Sequence, residues 1–67
     1  MKMLNLTDEE RKSAKIVFHV NRFQLWIGDV FMSSYYDYKD IREDLLFNQI
    51  DNPLYVGIAI SKVFGRN

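Results

Sequence analysis

Sixty-seven residues with no cysteine and one histidine leave this chain a single way to hold together. No disulfide can form, and one imidazole cannot anchor a zinc site. The fold must rest on buried apolar side chains. A chain this short has little surplus core, so a second protomer is an expected stabiliser. The material for burial is present: Leu, Ile, Val and Phe are 22 of the 67 residues, well above the disordered regime. The length predicts one domain over residues 1–67. No run approaches the roughly 18 apolar residues of a membrane span, and the first residues hold no apolar run of signal-peptide length. The expectation is a soluble, cytoplasmic protein.

Local order begins at Thr7-Asp8-Glu9-Glu10. The Thr7 hydroxyl can accept from the Glu10 amide while the Glu10 carboxylate accepts from the Thr7 amide, a capping box. Three acids in the first turn also suit the positive end of a helix dipole. Downstream, Ile16, Val20, Phe23, Ile27 and Val30 recur at spacings of 4, 3, 4 and 3. At about 100° per residue they stay within roughly 40° of one line, which predicts one helix over about residues 8–33. The rival is a hairpin at 15–27. There Ile16, Phe18 and Val20 alternate, Asn21-Arg22 can turn, and Phe23, Leu25 and Ile27 alternate again. The β-branched content of Lys15 to Val20 favours that rival. The capping box and five in-phase positions together favour the helix.

Asp37 can cap a second helix over about residues 38–50, its inner face holding Tyr38, Ile41 and Leu45 and widened by Leu46 and Ile50. Asn52 as N-cap and Pro53 at the first helical position open a third, over about 53–64, which Gly65 closes as a left-handed cap. The expected fold is therefore mostly α, a small three-helix bundle. The alternative is α+β with the hairpin at 15–27.

Little in the chain points to catalysis. His19 is the lone imidazole, and on a long helix it sits at the edge of the apolar face, where a half-buried structural histidine is the plainer reading. Ser33, Ser34 and Asp29 are near it in sequence, but a triad needs a geometry that proximity in sequence does not supply. The pairs Glu9-Glu10 and Glu43-Asp44 diverge on a helix and read as solvated charge. Gly28, Gly57 and Gly65 form no phosphate loop. No enzyme, metal site or cofactor is expected.

Charge is uneven. Residues 37–52 carry two basic and five acidic groups, whereas residues 53–67 carry Lys62 and Arg66 alone. Two helices joined at Asp51-Asn52-Pro53 suggest a helix-turn-helix. Tyr35-Tyr36-Asp37-Tyr38 and, about eighteen residues on, Val56-Gly57-Ile58-Ala59-Ile60-Ser61-Lys62-Val63-Phe64 together resemble winged-helix DNA-binding domains of the regulatory-factor-X class and of viral primase tails. The resemblance covers about half the chain, and it lacks the wing of those domains. It implies a third helix in the major groove of duplex DNA. That segment is nearly all apolar, so Tyr55, Ser61, Lys62 and Arg66 are the expected contacts, and the expected function is a small dimeric regulator of transcription.

The alternative function is a protein-interaction module, such as a small inhibitor or assembly subunit. Ten aromatics in 67 residues is dense, and Trp26, Phe31, Tyr35, Tyr36 and Tyr38 fall within thirteen positions. Aromatics concentrate at interface hot spots and also fill small cores. Phe18, Leu25 and Met32, seven apart, form a second stripe on the long helix that a homodimer would bury. The interface expected is that stripe together with Trp26, Phe31, Tyr35 and Tyr36.

Overall fold

Residues 3–57 are described by a computed structural model. They form an α+β domain, which corrects the mostly-α, all-α three-helix expectation. A one-turn helix α1 (Asp8–Lys12) precedes strands β1 (Ala14–His19), β2 (Arg22–Ile27) and β3 (Val30–Tyr35). Helix α2 (Tyr38–Phe47) and a short strand β4 (Leu54–Val56) complete the described chain. The strands run in the order β3-β2-β1-β4. The first three make an antiparallel meander, and β4 returns parallel to β1.

The capping box forms as the sequence implies. The Glu10 amide donates to Thr7 Oγ1 at 3.1 Å and the Thr7 amide donates to Glu10 Oε1 at 2.8 Å. The helix it starts nevertheless lasts five residues. The segment beyond Ser13 is β-branched and aromatic, and its side chains alternate between core and solvent, which a sheet accommodates better than a helix. The five in-phase residues were a coincidence of two strands joined by a short turn. Ile16, Phe23 and Ile27 are buried, but Val20 and Val30 are 74% and 61% exposed. The hairpin alternative matches the observed β1–β2 pair, with its turn one residue earlier, at Val20-Asn21.

The third helix is likewise corrected: Pro53 leads into strand β4, not into a helix, and residues 58–64 lie outside the described residues. Helix α2 sits where expected but ends at Phe47. Its end is a Schellman motif, with the Ile50 amide donating to the Leu45 carbonyl at 2.8 Å and the Gln49 amide to that of Leu46 at 3.1 Å.

One face of the sheet packs against α2. The core holds Ala14, Ile16, Phe23, Leu25, Ile27, Ile41, Leu45 and Ile50. Leu4 and Leu6 of the preceding arm pack against it, and the Leu4 amide donates to Asn48 Oδ1 at 2.9 Å. Inward pairs across β1 and β2 are Ala14 with Ile27, Ile16 with Leu25, and Phe18 with Phe23.

Both central residues of the β1–β2 turn have positive φ, 49° at Val20 and 61° at Asn21. That is the type I′ pattern, which favours Asn-Gly and penalises a β-branched residue. Val20→Asn combined with Asn21→Gly is expected to stabilise the domain by about 1 kcal/mol. In a domain of this size that raises Tm by roughly 5 °C in a thermal melt. An unchanged or lower Tm would contradict the turn assignment.

A buried polar link joins sheet and helix. The Tyr35 hydroxyl donates to Asp44 Oδ2 at 2.6 Å, and Asp44 is 4% exposed. Burial, then the hydrogen bond to Asp44, push the Tyr35 phenol up to about 12. A raised folded value means that the neutral phenol's contribution is complete below its ordinary pKa of about 10 and is lost as pH climbs towards 12. Tyr35→Phe is expected to cost about 1–3 kcal/mol at neutral pH, because a buried carboxylate loses a donor. It should also flatten the alkaline decline in stability. Urea unfolding at neutral and alkaline pH checks both; an equal alkaline decline in wild type and variant would contradict the assignment.

Candidate functional site

Strand alternation that buries one face of the sheet fixes what the other presents. Cross-strand register sorts that second face into three rows. The first is Leu54, Lys15, Trp26 and Phe31; the second is Val56, Val17, Gln24 and Ser34. The third pairs His19 with Arg22, and Arg22 stacks on Tyr36, its Cζ 4.4 Å from the ring centroid. No helix or strand among the described residues packs over these rows.

The rings are arranged in contact. Trp26 and Phe31 meet edge-to-face, centroids 5.6 Å apart at 76°. Lys15 Nζ lies 5.6 Å from the centroid of the Trp26 ring. The Trp26 indole N–H donates to Gln24 Oε1 at 3.0 Å, which orients the Gln24 amide between the first and third rows. The Arg22 guanidinium donates to the Tyr36 hydroxyl. The outer rows are four residues apart along the strands, or about 13 Å. Exposure is large for apolar groups: Phe31 is 48%, Tyr36 70%, Leu54 64% and Val56 41% exposed.

Charge is segregated. Lys15 and Arg22 are the face's permanent cations, and none of the nine Asp and Glu side chains falls in its rows. Those acids lie on α1, on α2 and in the connections, with Asp29 and Asp37 at the sheet's margins. Three shallow clefts of about 360, 260 and 300 Å³ border α1, α2 and the loop after α2. None is lined by the histidine or a serine. Among the described residues no three His, Cys, Asp or Glu groups gather as metal ligands. No helix among them is long and apolar enough to cross a membrane.

The residues singled out in the sequence are redistributed. Tyr55 lies on β4, beside Ile16, and packs against the core. Ser61, Lys62 and Arg66 lie outside the described residues. The stripe of Phe18, Leu25 and Met32 faces inward: Leu25 is fully buried, and the other two pack against the core. Tyr35 turns inward to Asp44. Trp26, Phe31 and Tyr36 remain together on the open face. Lys15, Arg22 and Gln24 were missed: the alternation of the hairpin alternative put Lys15 and Gln24 on the side of Trp26, but its turn at Asn21-Arg22 took Arg22 out of the strand, where the structure places it.

The chain matches no protein-family model, no curated protein and no solved structure.

Proposed function

We propose that this protein is a small non-enzymatic binding module that takes single-stranded nucleic acid on the open face of its sheet. The observation that carries the proposal is the pairing of exposed rings with cations on a surface without carboxylates. Every base offers a π-face to stack on Trp26, Phe31 or Tyr36, and a flexible strand can present bases that a duplex keeps stacked internally. Lys15 and Arg22 offer phosphate contacts, and Gln24 and Ser34 offer polar groups for base edges. This replaces recognition of duplex DNA by a helix, since the element expected to enter the groove begins as a strand.

Fluorescence anisotropy of a labelled single-stranded 12-mer tests the reading, with a duplex of the same sequence beside it. Single-strand binding should exceed duplex binding at least tenfold. With two phosphate contacts, the log-log salt slope should be near −1.4, far shallower than for a strongly basic protein. Equal affinity for the duplex, or no binding at high micromolar protein in low salt, overturns it.

A second reading is favoured by Leu54, Val56 and Val17, which make the β4 side of the face aliphatic. There the module docks a protein partner. Under that reading Leu54→Ser abolishes partner binding and leaves oligonucleotide binding unchanged.

A further inference from the structure

Among the described residues the sheet has two outer strands, β3 and β4. They differ in what they leave open. β4 is three residues long, whereas β3 runs six, Val30 to Tyr35. A free edge presents a row of backbone donors and acceptors, and proteins usually blunt it with charge, proline or shortness. β3 has no charged residue and no proline, and Val30 and Phe31 on it are well exposed. Among the described residues its one protective device is a bulge opposite Leu25 and Trp26, where Met32 is the extra residue. The segment beyond the bulge, Ser33-Ser34-Tyr35, stays in regular register with β2.

We infer that the β3 edge pairs with the β3 edge of a second copy of this chain, antiparallel and about a two-fold axis through the Ser33–Tyr35 segment. Self-pairing suits this edge for electrostatic and topological reasons. The chain has zero formal net charge, so two copies approach without long-range repulsion. The edge carries no charge that would select a differently charged partner. A two-fold pairing is closed, so the product is a dimer with one continuous eight-stranded sheet and not a fibre. The two open faces then lie side by side as one surface.

Sedimentation velocity without nucleic acid, from about 5 to 500 µM protein, tests the pairing. The mass should rise from the protomer's 8.0 kDa to twice that with concentration. Ser34→Lys sets two cations against each other across the axis and should weaken the dimer at least tenfold, with an unchanged thermal melt at concentrations low enough that both proteins are monomeric. Val30→Lys, which lies before the bulge, should weaken it less. A mass of 8.0 kDa at every concentration overturns the inference. So does a dimer that survives Ser34→Lys. Because the readout involves no oligonucleotide, its failure is distinct from failure of the binding proposal.

Discussion

Leu25→Glu is expected to unfold the domain. Leu25 is fully buried at the centre of the sheet, opposite Ile16 and under α2. The substitution removes a large apolar side chain and puts a carboxylate where nothing pairs with it. Losing the burial alone costs about 2–5 kcal/mol, and an unpaired buried charge adds more. Marginal stability in a domain of this size does not cover that sum. The companion substitution is Trp26→Glu, one residue along the same strand. Trp26 points to the open face, so a glutamate there reaches water and should cost about 1 kcal/mol or less beyond the lost ring contacts. Circular dichroism and amide-proton dispersion separate the outcomes. An unfolded Leu25→Glu beside a folded Trp26→Glu is the signature of period-two structure. A folded Leu25→Glu that merely changes mass would restore the two-striped helix.

Replacing Trp26 and Phe31 with alanine should cut single-strand affinity while the domain stays folded. Stacking on an aromatic side chain contributes about 1–3 kcal/mol per base, so each substitution should lower affinity roughly 5- to 150-fold. The pair shares one edge-to-face contact, so the double variant should lose less than the product of the single losses. Lys15→Ala and Arg22→Ala should act differently, each making the salt slope shallower by about 0.7. Affinities within twofold of wild type for Trp26→Ala and Phe31→Ala would mean that the bases lie elsewhere.

Some of this was legible in the sequence, for identifiable reasons. Thr7 and Glu10 make a local, reciprocal pair of hydrogen bonds, and local chemistry survives whatever the rest of the chain does. Helix α2 was legible because Ile41 and Leu45 are four apart on one face and both are buried. The strands are not legible in the same way, because sparse positions such as Ile16, Phe23 and Ile27 fit both a helical repeat and a two-residue repeat. The residues that discriminate are the polar ones between them: Lys15, His19, Arg22 and Gln24 alternate with the apolar set, and their side chains share the solvent face. The aromatic surface was partly legible as composition. Its membership was not, since Tyr35 and Tyr36 are adjacent, yet one reaches Asp44 in the interior and the other stacks on Arg22. Strand parity decides that, and parity depends on Met32, whose bulge no local signal announces.

The most direct test of the open face as the binding surface is a titration of the isotope-labelled protein with a single-stranded 12-mer, monitored through amide and indole resonances. Binding on that face predicts shifts at Lys15, Arg22, Gln24, Phe31, Ser34 and the Trp26 indole N–H, with α2 residues such as Asp40 and Glu43 unmoved. Shifts confined to α2 and its flanking loops, with the Trp26 indole unchanged, would contradict it.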